Sequence, residues 1–254
     1  METLVVYQSP FPKIRLGHQD KDGGYLVAHL PGSYDYLVSG GISDDVTFEQ
    51  QFLSRYDCDG VGFDGTISEL PDNVERLYFV QQNITSQETE TTTNLLKWIG
   101  DHQNVFLKLD IEGWEFEIVP VLLAAGKMHQ VKQFVLEIHT PCDIHRWPDY
   151  YSKELQTSAS NAKMFEMIRR LNETHTIVHF HGNNVHHGNF PDQVIEGVIL
   201  PFVYELTFVR NDFIPENKLL NTQSLPTAQD CKNSSLFPDY ELSGWPYSSE
   251  SPME

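Results

Sequence analysis

The run 105–109, VFLKL, ends on an aspartate, Asp110, and Glu112, Glu115 and Glu117 follow it closely. Burying a carboxylate without a partner is costly, so an acid at the tip of an apolar strand points to function. Glu115 and Glu117 fall where the next helix begins, and carboxylates there suit the positive end of the helix dipole. Glu112 is open between cleft and solvent. A second apolar run, 133–138, brings Glu137 and His139 onto one strand face. Asp110 with Glu137 and His139 is a donor set for a hard divalent cation such as Mg2+, Mn2+ or Ca2+. His139 is also a candidate general base near neutral pH. The bland alternative is a rim of hydrogen-bonded polar groups. A third stretch, IVHFHGNNVHH, places His179 and His181 on one face of a strand, with Asn183 and Asn184 in the loop beyond. His186 and His187 read as exposed loop residues. Neither HExxH nor Cys/His spacing is present to support zinc, and contact with substrate or metal through Asn183 or Asn184 is an equal reading.

These groups need a scaffold that gathers strand tips. Apolar runs at 36–38, 60–64, 77–80, 105–109, 133–138, 176–180 and 204–209 predict strands, and 46–56, 93–99, 115–125 and 162–171 predict helices. Continuous apolar strands alternating with helices predict an α/β fold with a Rossmann-like, mostly parallel, seven-stranded sheet covered by helices on both faces. Ligands of such sheets bind beyond the carboxyl ends of the strands. The turn after the first run, Ser39-Gly40-Gly41, is a candidate cofactor loop, although it is not GxGxxG. Asp64 ends the next run, where an acid accepts hydrogen bonds from ribose hydroxyls; an ordinary helix cap is the alternative. Residues 1–30 read as a lead-in segment with a turn at Asp22-Gly23-Gly24. We expect one domain over 1–210. Proline, Ser and Asn dominate 211–254, predicting an irregular or partly disordered extension.

The chain has 254 residues and a formal net charge of −19, so it repels phosphate backbones, and a nucleic-acid partner is not expected. No apolar stretch is long enough to span a bilayer, so no membrane insertion is expected. The three cysteines suggest neither a disulfide framework nor a zinc site. With no basic start followed by an apolar core and cleavage site near the beginning, a cytoplasmic location is expected. Oligomeric state is not readable.

The blocks KIRLGHQDKDGGYLV, SGGISDDVTFEQQF, GFDGT, FLKLDIEGWEFEIV, VLEIH and HFHGNN occur in this order over about residues 13–210. Together they resemble the FkbM-like and related methyltransferase-like families, whose members depend on S-adenosylmethionine (SAM). The KLDIEGWE block is the most specific part of the resemblance. It implies a class I methyltransferase sheet with its last strand antiparallel. It implies that Asp22, Gly24, Tyr25, Gly40, Gly41, Asp45 and Glu49 surround the cofactor and that Asp64 takes the ribose hydroxyls. It implies methyl transfer to a hydroxyl of a sugar or glycan acceptor, with Asp110 beside the reacting atoms. A divalent cation, Mg2+ or Mn2+, would be held by Asp110, Glu137, His139 and Asn183. His139 is the first candidate base and His181 the second. The alternatives are a non-catalytic SAM-fold binding module and another nucleoside-cofactor enzyme such as a dehydrogenase.

Overall fold

The computed structural model describes residues 1–185 and 187–249; His186 and the last five residues lie outside the described part. The chain enters as an antiparallel hairpin, β1 (Lys13–Gly17) and β2 (Gly24–Ala28). Then follow β3 (Tyr36–Gly40), α1 (Thr47–Tyr56), β4 (Asp59–Phe63), β5 (Leu77–Val80), the single turn α2 (Leu96–Ile99), β6 (Val105–Leu109) and α3 (Glu115–Ala124). The second half adds β7 (Val131–His139), α4 (Pro141–Arg146), α5 (Lys153–Ser158), α6 (Asn161–Leu171), β8 (His175–Asn183) and β9 (Val203–Arg210).

Seven strands form one sheet in the order β8-β9-β7-β6-β3-β4-β5. β3 pairs in parallel with β4 and β6, β4 with β5 and β6 with β7; β9 runs antiparallel between β7 and β8. This is the expected α/β sheet, with the expected reversal of the last strand. Because side chains alternate along a strand, the sheet has two apolar faces. Leu37, Phe106 and Val135 meet α1 through Phe48 and Phe52, together with Tyr25 and Val27 of the hairpin. Val38, Leu107 and Leu136 belong to the opposite core with α3 and α6. In α6, Met164, Met167, Ile168 and Leu171 recur at helical spacing and are buried, and Ser160 caps the first turn by accepting from the Lys163 N–H.

Three differences from the sequence reading have local causes. The lead-in segment is a hairpin, closed around Gly23 at φ +83°. The helix expected at 93–99 shrinks to one turn, because Thr92–Thr93 pairs as a short strand and Leu95 is left-handed at φ +64°. Residues 211–249 are irregular yet fixed: Leu225, Tyr240, Leu242 and Tyr247 are buried in the same core as α3 and α6. The segment is therefore built into the domain rather than trailing from it.

Its polar anchors lie over β8. His179 Nε2 stands 2.8 Å from Asp230 and its Nδ1 3.1 Å from the Lys13 ammonium. His181 Nδ1 lies 3.3 Å from Glu205, and Nε2 lies 3.8 Å from Asp239. Burial disfavours the His181 imidazolium, but Glu205, Asp230 and Asp239 outweigh it and raise the group to about 9. A histidine raised from about 6.5 to about 9 adds stability that is whole below pH 6.5 and is lost as pH climbs through 9. For so buried a group this is on the order of 3 kcal/mol. Urea unfolding at pH 6 and pH 9.5 should therefore show a larger gap between wild type and His181→Gln at the lower pH; a gap independent of pH refutes the assignment.

Candidate functional site

The carboxyl ends of β3, β6 and β7, with the hairpin and α4, enclose a cavity of about 600 Å³. One part of its lining carries Gly41, Asp45, Phe48, Glu49 and Lys108; another carries Glu112, Asp143, Trp147, Tyr150, Tyr151 and Asn183. Asp110, Glu137 and His139 line it too.

Asp110 is placed by β6 and gripped from across the chain: Tyr25 of β2 donates its hydroxyl to Oδ2 at 2.7 Å. Burial pushes the Asp110 carboxyl up, but a hydrogen bond with Glu137, the Lys108 charge and the Tyr25 hydroxyl outweigh it, and the group stays ionised. Glu137 is driven well above the usual carboxylate range by burial and by the Asp110 charge. Asn183 donates to Glu137 Oε1 at 2.9 Å, and its own Oδ1 accepts from the Val185 N–H. Asn183 is thereby oriented at both ends of its amide and supports Glu137.

His139 is braced through one ring nitrogen. Its Nδ1 lies 3.1 Å from Asp143 and 2.7 Å from the Tyr151 hydroxyl. Its Nε2 lies 3.4 Å from Glu112 and 3.6 Å from Glu137 but has no hydrogen-bond partner among the described residues. Burial disfavours the cation, yet Asp143, Glu137 and Glu112 together hold the imidazole well above its ordinary value. With Nδ1 taken up by Asp143 and Tyr151, Nε2 is the ring nitrogen left for chemistry in the cavity.

Sequence reasoning left Glu112 open. Asp110, Glu112 and His139 each offer a ligand atom, all within 4.8 Å of one another. Glu112 reaches this position with φ +56°, ahead of Gly113 at φ +89°. A left-handed non-glycine residue is uncommon and collects at functional sites. The signal in the sequence is the Glu112-Gly113 turn directly after a strand tip.

The donor set fits a divalent cation: two carboxylates and an orphaned, buried imidazole nitrogen whose other nitrogen is braced by Asp143. Such carboxylate–histidine pairs orient metal-binding rings. Glu137, expected as a ligand, stands behind this trio.

Near the glycine loop, Glu49 is buried; Ser39 donates to its Oε1 at 2.5 Å, and its Oε2 has no partner among the described residues. Lys108 donates to the Gly41 carbonyl at 2.7 Å and lies 3.7 Å from Glu49. Of the residues expected around the cofactor, Asp22, Tyr25, Gly41, Asp45 and Glu49 line the cavity, and Gly24, Gly40 and Asp64 do not. Gly24 serves the hairpin, where a Cβ would meet the His18 carbonyl. Gly40 makes room for Ile84. Asp64 Oδ2 accepts from the Ile42 and Ser43 N–H groups at 3.2 and 2.8 Å, and Oδ1 accepts from Thr66. Burial opposes its charge, but these hydrogen bonds win and hold its carboxyl below the usual range. Asp64 thus secures the glycine loop from behind. His181 faces Glu205 and Asp239 off the cavity wall, so the catalytic role expected for it does not fit. Asn184 is spent on Ser234 and Phe237. Glu115 is fully buried rather than solvated, and its Oε1 accepts from the Ile111 N–H at 2.9 Å, which fixes the turn carrying Glu112.

No protein-family model and no curated protein matches the chain. Among solved structures it is similar to a fibrillarin/Nop5p complex (9% identity, TM-score 0.37, covering 69% of this chain and 72% of that one). It is also similar to the plantazolicin methyltransferase BpumL in complex with SAH (10% identity, TM-score 0.38, 69% and 76% covered). A third is a 16S rRNA (adenine(1408)-N(1))-methyltransferase mutant from Catenulisporales acidiphilia (14% identity, TM-score 0.33, 78% and 97% covered). No helix among the described residues is long and apolar enough to cross a membrane.

Proposed function

We propose that the protein is a SAM-dependent O-methyltransferase acting on a sugar or glycan hydroxyl, with a divalent cation assisting. The carrying observation is the single cavity in which Asp110, Glu112 and His139 converge beside the glycine loop. The FkbM-like motifs support SAM as the cofactor. Glu49, buried with one oxygen unpartnered, suits the ammonium of its methionine end. Asp45 and Gly41 line the same end.

A bound Mg2+ or Mn2+ would lower the pKa of a coordinated hydroxyl. The remaining work falls to the chain. The cavity walls hold the acceptor oxygen in line with the sulfonium methyl, and positioning alone supplies much of the rate. The oxygen bonds to the methyl carbon, the carbon–sulfur bond breaks, and sulfur keeps the electron pair. Asp110, ionised and on the wall, receives the hydroxyl proton.

Calorimetry with SAM, S-adenosylhomocysteine and NAD, followed by transfer of labelled methyl to mono- and oligosaccharides, tests the reading. SAM should bind without metal, and turnover should fall on chelation. Binding of NAD in place of SAM would favour a dehydrogenase. SAM binding with no transfer to any hydroxyl would favour a binding module, and chelator-insensitive turnover would remove the cation.

A further inference from the structure

Of the three groups gathered within reach of one cation, Glu112 is the one that no strand places. Asp110 directly follows β6 and His139 ends β7, whereas Glu112 stands in the turn between β6 and α3. Its side chain is half-exposed and hydrogen-bonded to Tyr150, so packing does little to fix it. Its direction is set by the backbone. Glu112 at φ +56° and Gly113 at φ +89° are two left-handed residues in succession. A non-glycine residue in that region persists where the surrounding structure holds it there. Glu115 supplies the hold. Its side chain turns back from the first turn of α3, and Oε1 accepts from the Ile111 N–H at 2.9 Å. The chain is thereby closed on itself from Ile111 to Glu115, with Glu112 inside the closed turn. The ends of that turn are fixed in their own right: the Ile111 carbonyl accepts from the Trp114 N–H at 3.3 Å, and the Asp110 N–H donates to the Gly40 carbonyl at 3.2 Å. Glu115 is fully buried, and its Oε2 has no partner among the described residues. A buried carboxylate with an idle oxygen is costly. An exposed acid would serve the helix dipole equally well. What the buried one adds is the closed turn.

We propose that Glu115 is a positioning residue for the cation: by holding the Ile111 N–H it keeps Glu112 left-handed and so sets how Asp110, Glu112 and His139 converge. This rests on reading the trio as a cation site, and titration with Mn2+ tests it without any methyl transfer. Glu115→Met removes the acceptor, keeps an unbranched side chain of similar volume, and relieves the core of its unpaired oxygen. It should weaken Mn2+ binding by about tenfold or more, the range for losing a group that orients a metal ligand. Glu115→Gln keeps an oxygen for the Ile111 N–H and should stay within about threefold of wild type, since a neutral acceptor makes the same bond. Affinity for S-adenosylhomocysteine should be unchanged in both, whereas a merely structural role would lower both affinities together. With Glu112→Ala already in place, adding Glu115→Met should leave Mn2+ affinity within about twofold, because the hold acts through Glu112. Wild-type Mn2+ affinity in Glu115→Met overturns the proposal, and so does an equal loss for both ligands. A loss in Glu115→Gln as large as in Glu115→Met overturns it as well, by assigning the effect to charge. So does an undiminished loss when Glu112 is already removed. Should Glu115→Met fail to fold by circular dichroism, Glu115→Gln decides: Mn2+ affinity near wild type supports the hydrogen bond as the agent, and a tenfold loss refutes it. Wild-type protein that binds no Mn2+ overturns the cation site itself, a result distinct from any change at Glu115.

Discussion

Under the proposed reaction, Asp110→Asn should lower methyl transfer by two to four orders of magnitude, the range for losing a group that handles the proton in the transition state. Asparagine has nearly the same shape, and its carbonyl oxygen can still accept from the Tyr25 hydroxyl that now meets Oδ2 at 2.7 Å. The fold should therefore survive, and the loss reports charge. Two functions go together: the proton acceptor, and one of the carboxylates gathered with Glu112 and His139. Cation affinity should fall in parallel, while affinity for S-adenosylhomocysteine stays near wild type, because Glu49, Asp45 and Gly41 line another part of the cavity. Single-turnover rates and titration with Mn2+ measure the two effects separately. A variant that keeps more than about a tenth of the wild-type rate rules Asp110 out as the proton acceptor. Glu137→Gln is the informative companion. Burial and the Asp110 charge push Glu137 well above the usual carboxylate range. Neutralising it should cost far less than neutralising Asp110.

The layout of the site was legible in the sequence wherever one element sufficed to place a residue. Asp110 ends an apolar strand, and Glu137 and His139 share a face two positions apart; both follow from the pleat of a single strand. What was not legible depended on distant segments folding over that strand. Tyr25 meets Asp110 only because the hairpin closes across the sheet, 85 residues away in the chain. Asp143 and Tyr151 reach His139 from α4 and the loop after it, and so fix which ring nitrogen faces the cavity. Glu115 looked like a surface acid at a helix start. It caps Ile111 inside the core, and burial raises it to about 7. Asp64 carries the expected residue type at the expected strand end, but the loop it was meant to accompany consumes its hydrogen-bonding capacity. Periodicity reports which face of an element is covered; it does not say by what.

The glycine loop gives the sharpest structural expectation. Gly41 has φ +78°, and a Cβ built there would lie 1.7 Å from the Asp110 carbonyl oxygen. Alanine at Gly41 must therefore do two unfavourable things at once. It must adopt a left-handed backbone, costing about 1–2 kcal/mol, and it must push the loop away from the tip of β6. Gly126 separates these effects, since its φ is +71° and nothing lies within 4 Å of its Cβ. Gly126→Ala should cost roughly 1 kcal/mol, the conformational penalty alone. Gly41→Ala should cost about 3 kcal/mol or more, because the overlap adds a packing penalty of about 1–3 kcal/mol. It should also lower cofactor affinity and turnover together, since the displaced group belongs to Asp110 and the displaced loop accepts the Lys108 hydrogen bond. Urea midpoints of the two alanine variants provide the comparison. Equal losses would mean that the approach of loop to strand is not enforced, and the glycine would then matter only for its backbone angle.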